Sequence, residues 1–305
     1  MNGVVYYNRA TKCLVRLAVS ASTLRKHFDG PVTLLSQGDR SHAASREIAE
    51  RFGLEFKEVE YPQTPEKRGA TYINATLCHH HVDYDATIWL DSDTIVCGDI
   101  SPLHELALQN DFVATQIAHW GSKRGSRVGK RINWWKDIHP DEKLAKSYDQ
   151  NWGINCGVFA FPKGSKWMAD WWQNAMKGID TPRIQDEVCA QIMLGEYAHA
   201  KAPNIFNVSA KYGTVEDFAD VRIVHFHGNK HCRFSPDGKF TNNSHLWYRE
   251  FEEIRDWPLL TKYTQSDRML RKYVKRWDAI KDEFRADPTN DKWYARSSQG
   301  RIKNA

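Results

Sequence analysis

The sequence predicts an α/β protein built on a mostly parallel central sheet. Through the first hundred residues, short apolar or β-branched runs alternate with longer segments of helical spacing, an order that builds a parallel sheet with crossover helices. A length of 305 residues with 41% hydrophobic residues is enough for one large domain of this kind or two modest ones.

The elements follow in order. Val4 to Tyr7 is a short apolar strand, and Cys13 to His27 places apolar residues at helical spacing ahead of a basic end. Pro31 to Ser36 is a second strand. Ser41 to Phe52 is a helix closed by Gly53, and Leu54 to Val59 is a third strand. Thr71 to Val82 reads as a helix and Ala86 to Leu90 as a fourth strand. After Ile100 the regularity breaks. Residues 119–152 carry Gly121, Gly125 and Gly129 among basic residues, then Trp134 and Trp135, and read as a long mobile insertion of the kind that serves as a lid or binding loop. Order returns with a strand from Gly157 to Phe161, helices from Trp167 to Met176 and Gln185 to Leu194, and a strand from Val221 to Phe226. From Ser244 the chain is helical in propensity, basic and aromatic, and its polar tail frays from about residue 297. The expected division is a domain over 1–232, with the insertion at 119–152, and a helical extension over 233–305 packed on it.

Composition narrows the function. A net charge of +5 suits an anionic substrate and is too diffuse for a nucleic-acid binder. No run is long enough to span a membrane, and Met1 to Tyr7 has no secretory apolar region. The six cysteines lack CxxC spacing and read as reduced, buried thiols, so the expected compartment is cytoplasmic. On that reading the acceptor patterns at Asn74, Asn207 and Asn242 are chance matches.

The chemistry begins where Thr87-Ile88-Trp89-Leu90 runs into Asp91-Ser92-Asp93. Residues two apart on an extended segment project to one side, so both carboxylates leave the carboxyl end of a buried strand, the ligand edge of such a sheet. Two adjacent carboxylates repel unless a cation lies between them, and hard oxygen ligands suit Mn²⁺ or Mg²⁺, which in turn bind diphosphates. His225 also ends a strand, where a neutral imidazole can complete such a site. Gly228 would admit a phosphate close to the backbone, and Lys230 would add a point charge. The run His79-His80-His81 is set aside, because successive helical residues face different directions.

Two enzyme classes place a DxD at a strand end. A haloacid-dehalogenase-like phosphatase would use Asp91 as nucleophile, but that motif sits on the first strand, and here three strands precede it. The second class fits the order better. Ile88 to Val96 followed by Gly98-Asp99-Ile100 resembles the "YLDADTLV…DI" block of family 8 retaining glycosyltransferases, which include glycogenin and the lipopolysaccharide galactosyltransferases. Asn155-Cys156-Gly157-Val158 resembles that family's N-[SA]-G-[VF] element, Gln185-Asp186 its "DQD", and His225 to Lys230 its H-F-x-G-x-x-K-P-W. Together these blocks cover about residues 1–232.

The resemblance implies a GT-A fold, Rossmann-like, with a helical C-terminal extension. It implies transfer of a hexose, with retention, from a nucleotide diphosphate sugar such as a UDP-sugar to a hydroxyl of a saccharide, glycolipid or protein acceptor. Asp91, Asp93 and His225 would hold Mn²⁺ or Mg²⁺. Tyr6 or Tyr7, with Asn8, would meet the nucleobase, and Arg68 (or Lys67), Asp91, Ser92, Gly228 and Lys230 would contact the rest of the donor. Asn155, Gln185 and Asp186 would line the sugar and acceptor site. Departures bear on this. The Gly228–Lys230 spacing is one residue short and His231-Cys232 replaces Pro-Trp, so Arg233 or the loop residues Lys123, Arg124 and Arg127 are alternatives to Lys230. Ile184 stands where the family carries an acid, which leaves no clear nucleophile and favours front-face attack. The altered Gly228 to His231 segment also leaves open a silent sugar-nucleotide binder. Trp134, Trp135 and Trp152 are candidates for acceptor contact or for packing. The basic-aromatic helices from Tyr263 to Trp277 read as solvated amphipathic helices or, as in glycolipid-modifying relatives, as a weak peripheral membrane contact.

Overall fold

The computed structural model describes residues 1–60, 74–117, 131, 133–136, 153–177, 185–210, 220–227 and 244–286. The strands of its main sheet are β1 (Gly3–Asn8), β2 (Val32–Ser36), β3 (Glu55–Glu58), β4 (Ala86–Leu90), β6 (Val113–Ile117), β7 (Gly153–Pro162) and β8 (Ala200–Ala202). They lie in the order β3-β2-β1-β4-β7-β6-β8, and only β7 runs against the others. A smaller sheet, in the order β5-β10-β9, joins β5 (Thr94–Val96), β9 (Val208–Ser209) and β10 (Ile223–His225).

Alternation along each central strand divides its side chains between two cores. Val4, Tyr6, Ile88, Leu90, Val158 and Ala160 enter one. Val5, Trp89, Phe159 and Phe161 enter the other. The first core is covered by helices α1 (Leu14–Arg25), α2 (Asp39–Phe52) and α4 (Ser101–Gln109), the second by α3 (Asn74–Leu77), α5 (Lys166–Lys177) and α6 (Gln185–Met193). Helices α7 (Ser244–Glu252), α8 (Pro258–Ser266) and α9 (Arg268–Ala286) add Trp247, Tyr248, Phe251, Leu260 and Trp277 to the first core, and Lys26 of α1 pairs with Glu250. The second core is aromatic: Phe112 stacks on Trp167 at 3.8 Å between ring centroids.

Several boundaries differ from the sequence expectation. The helix expected over 71–82 is a single turn, Asn74–Leu77, followed by a 3₁₀ turn through His80, and residues 71–73 lie outside the described set. The stretch after Ile100 is regular: Asp99 accepts hydrogen bonds from the Ser101 N–H and hydroxyl at the start of α4, and β6 follows. Gly53 does stop α2, in the left-handed conformation at φ 62. Cys13, Cys78, Cys97, Cys156 and Cys189 are free thiols. Asn74 and Asn207 of the glycosylation patterns are buried. No described helix is long and apolar enough to cross a membrane.

Candidate metal and donor site

The aspartates lie where β4 stops. Its last paired residue is Leu90, against Val158 of β7, and the Asp91 N–H then donates to the Gly157 carbonyl at 2.8 Å. The chain turns there: the Asp91 carbonyl accepts from both the N–H (3.3 Å) and the hydroxyl (2.8 Å) of Thr94. The carboxylates therefore converge through a turn rather than by the two-residue alternation of an extended strand. Thr94 opens β5, which pairs antiparallel with β10 so that His225 stands opposite Thr94. The Phe226 N–H closes on the Asp93 carbonyl at 2.9 Å. A residue far away in sequence is thus fixed beside the pair by the short strand the pair leads into.

One carboxylate oxygen from each aspartate and one imidazole nitrogen lie within 4.8 Å of one another, the one such metal-ligating group among the described residues. His225 Nε2 stands 3.2 Å from Asp93 Oδ1 and 3.8 Å from Asp91 Oδ2. Asp93 and His225 are buried, whereas 42% of the Asp91 side chain faces the cleft and leaves an open side to the cluster. Trp89 Nε1 donates to Asp91 Oδ1 at 3.0 Å. Arg16 of α1, itself buried, brings a guanidinium nitrogen to 3.8 Å from Asp93 Oδ2.

The electrostatics fit a cation. Burial first, and the Asp93 charge second, push the Asp91 carboxyl up to about 6. Burial pulls His225 down, but the negative charges of Asp93 and Asp91 outweigh it and leave the imidazole above its ordinary value. Both groups bind protons more readily than usual, as anionic clusters do, and a dication would compete with those protons; two carboxylates with one imidazole are a donor set suited to Mn²⁺ or Mg²⁺.

Behind the cluster, Asn155 of β7 is buried. Its Oδ1 accepts from the Gly157 N–H at 3.1 Å, and its Nδ2 donates to Glu187 Oε1 at 3.1 Å. Glu187 is also paired with Arg131, which donates to the Ile154 carbonyl at 2.8 Å and to Gln191 Oε1 at 3.1 Å. Arg131 is buried, so part of the expected insertion is anchored in the interior, and residues 133–136 are helical with Trp135 buried and Trp134 half-buried. Asp186 is buried in the first turn of α6. Its carboxyl is pushed well above the usual range, by burial first and then by the Glu187 charge.

At the end of β1 the two tyrosines part. Tyr6 is fully buried in the first core with its hydroxyl on Ser20 at 2.9 Å, and it cannot stack on a base, which corrects the expectation for that residue. Tyr7 faces the other way, half-buried, with its ring stacked on Trp89 at 6.5 Å and its hydroxyl bonded to Gln37 and Asn74. Asn8 is buried, donates to Ser45 Oγ at 2.9 Å, and its Oδ1 meets no hydrogen-bond partner among the described residues. Ser92 is half-buried in the turn. Lys67, Arg68, Lys123, Arg124, Arg127, Trp152, Gly228, Lys230, His231, Cys232 and Arg233 lie outside the described residues, as does the side chain of Gln185, which opens α6.

Sequence reasoning missed Arg16, Arg131, Glu187 and Asn207. Arg16 carried a signal: an arginine set among apolar residues on both sides in LVRLAV has to be buried with a partner. Arg131 was hidden in a basic run.

A sheet in the order 3-2-1-4, extended by an antiparallel strand, with a DxD at the carboxyl end of β4 and a histidine brought beside it by β10 of the smaller sheet, matches the GT-A fold of nucleotide-sugar glycosyltransferases. Solved structures show the likeness. The galactosyltransferase LgtC, in complex with donor and acceptor sugar analogues, superposes with a TM-score of 0.56 at 17% identity over 84% of this chain and 97% of its own. The glycosyltransferase GlyE of Streptococcus pneumoniae TIGR4 gives 0.55 at 16% identity, over 87% of this chain and 64% of its own. The bifunctional glycosyltransferase WbbM gives 0.56 at 15% identity, over 86% and 51%. This chain thus spans less than two thirds of GlyE and about half of WbbM. No protein-family model and no curated protein matches the sequence. On this fold the phosphatase alternative is set aside: Asp91 ends the fourth strand in chain order, beside the switch point between β1 and β4.

Proposed function

We propose that this protein is a metal-dependent glycosyltransferase that moves a hexose from a nucleotide diphosphate donor, a UDP-sugar, to a hydroxyl of a saccharide, glycolipid or protein acceptor. The observation that carries this reading is the meeting of Asp91, Asp93 and His225 at the ligand edge of a GT-A sheet. These three would hold Mn²⁺ or Mg²⁺, which when bound neutralises charge on the diphosphate leaving group.

The remaining roles are drawn from placement and from the sequence resemblance together. Tyr7 offers a half-buried ring beside the switch point on which a uracil would stack, whereas Asn8 is buried and is assigned to the nucleobase by the resemblance alone. Arg68, Ser92, Gly228 and Lys230 are assigned to the donor by the sequence resemblance alone. Gln185, which opens α6, is assigned to the sugar face by the sequence resemblance, and the LgtC neighbour also carries an active-site glutamine. Asn155 is assigned to the sugar and acceptor site by the sequence resemblance, with its oxygen and one Nδ2 hydrogen spent inside the protein. Burial and the Glu187 charge hold the Asp186 carboxyl well above its usual range, and Glu187 is engaged by Arg131 and Asn155, so neither is set up as a nucleophile. With retention implied by the sequence resemblance, that favours front-face attack, in which the departing phosphate takes the acceptor proton. A cytoplasmic enzyme resting weakly on an anionic membrane through the basic side chains of α9 (Arg268, Arg271, Lys272, Lys275 and Arg276) would suit a glycolipid acceptor.

Thermal unfolding with Mn²⁺, UDP and both together tests the reading. The pair should raise the melting temperature by more than the sum of the separate shifts, because the ion and the diphosphate bind each other as well as the protein. Additive or absent shifts would count against it.

A further inference from the structure

We propose that Asn207 is a positioning residue of this site, which fixes the tautomer of His225 so that Nε2 is the nitrogen offered to a divalent cation. The inference rests on the metal reading of Asp91, Asp93 and His225.

The chain of inference starts from a group whose role is not adjustable. The Gly157 backbone N–H can only donate, and it points at an Asn155 side-chain atom 3.1 Å away, so that atom is the carbonyl Oδ1. The other Asn155 terminus, Nδ2, accordingly meets Glu187 Oε1 at 3.1 Å. Asn155 Oδ1 also faces Asn207 at 3.1 Å. Because an amide oxygen only accepts, the Asn207 atom there is Nδ2. A second contact agrees: the Thr115 hydroxyl gives its hydrogen to the Val158 carbonyl, so its lone pair receives the Asn207 Nδ2 hydrogen at 2.8 Å. The free end of Asn207 is therefore Oδ1, which stands 3.1 Å from His225 Nδ1. Two acceptors cannot face each other there, so Nδ1 carries a hydrogen. Nε2 stands 3.2 Å from Asp93 Oδ1 and 3.8 Å from Asp91 Oδ2, so without an ion it faces acceptors too and carries a hydrogen of its own; with Nδ1 committed to Asn207, Nε2 is the nitrogen whose hydrogen a divalent cation replaces.

Every member of this relay is buried. Asn155, Asn207 and His225 show 6%, 2% and 2% of their surface, so water does not compete for the bonds. The elements cooperate as well. Asn207 lies just before β9, and β9 pairs with β10 so that Ser209 stands opposite His225, which sets the distance from Asn207 to the ring. Neighbours that hold a metal-ligating histidine by its second nitrogen usually change metal affinity 10- to 100-fold when removed.

The test uses the full chain and Mn²⁺ alone, titrated by loss of the free-ion paramagnetic resonance signal, with Asn207→Leu and Asn207→Asp. Long-range ¹H–¹⁵N spectra of histidine-labelled protein saturated with diamagnetic Mg²⁺ give an independent reading of which ring nitrogen keeps its hydrogen. We expect His225 to carry its hydrogen on Nδ1 in the parent protein. Asn207→Leu should lose about 10- to 100-fold in Mn²⁺ affinity and mix the tautomers, and Asn207→Asp, which keeps an acceptor opposite Nδ1 but turns its second oxygen on Asn155 Oδ1, should recover part of both. If the parent binds Mn²⁺ and Asn207→Leu binds it equally well, the role of Asn207 falls and the metal site stands. Equal losses in both variants would assign the effect to packing and also overturn it. A hydrogen on Nε2 in the Mg²⁺-loaded parent protein overturns it even if Asn207→Leu fails to fold. If the parent does not bind Mn²⁺, the metal reading fails, and the inference fails with it.

Discussion

A methyl group on Gly157 would stand 2.1 Å from Cε1 of His225 and 2.8 Å from Oδ2 of Asp91. The glycine is therefore required by the site; it lies in the stretch of β7 where the pairing with β6 shifts register, between the partners of Ala114 and Gln116. Gly157→Ala should push the histidine out of the cluster and weaken Mn²⁺ binding by about 10-fold or more while the far-ultraviolet circular dichroism stays unchanged. Calorimetric titration with Mn²⁺ measures this, and unaltered affinity would mean that His225 is not a ligand.

Arg16 and Asp93 form a buried pair 3.8 Å apart. Arg16→Met leaves the Asp93 charge without that partner and should cost about 3 kcal/mol in denaturant unfolding, the low end for a broken buried pair. Because Mn²⁺ offers a replacement cation, it should raise the melting temperature of the variant by more than that of the parent. A smaller shift in the variant would show that Arg16 helps to bind the ion rather than standing in for it.

Trp89 supports Asp91 from behind, with Nε1 on Oδ1. Trp89→Phe keeps a ring against Phe159 and Tyr7 and deletes only the donor. A hydrogen bond to a charged group, partly open to the cleft, contributes about 1 kcal/mol here, so Mn²⁺ affinity should fall about fivefold with little change in stability. An unchanged titration would remove Trp89 from the site.

The response to pH has a definite sign. The Asp91 carboxyl lies above its ordinary value, at about 6, and the His225 imidazole is also raised. Each group therefore stabilises the metal-free fold at low pH and loses that contribution as pH rises through its folded value. A cation must displace these protons, so the Mn²⁺-induced rise in melting temperature should be small at pH 5 and grow toward pH 8. A larger shift at pH 5 would contradict the assignment of these ligands.

The sheet was legible where strands are short, apolar and buried on both faces, as in Val4 to Tyr7 and Ala86 to Leu90, because few other structures use such runs. Strands β5, β8 and β9 escaped notice because two or three residues show no period. Helix α4 was missed for a similar reason: it is short, and its inward face includes His104, bonded to the Gly3 carbonyl, rather than an unbroken apolar stripe. The aspartates and His225 could be named from their neighbours in sequence. Asn207 could be noticed only as a glycosylation pattern, since its partners Thr115, Asn155 and His225 come from other strands. Long-range hydrogen bonding of this kind leaves no local trace.

The most direct measurement is slow release of UDP from a panel of UDP-hexoses, followed with Mn²⁺ and after chelation, for the parent chain and Asp93→Asn. We expect one sugar to be hydrolysed only when the ion is present, and that turnover to vanish in the variant while the fold persists. Hydrolysis that survives both chelation and the substitution would contradict the claim that Asp91, Asp93 and His225 grip the donor through a divalent ion.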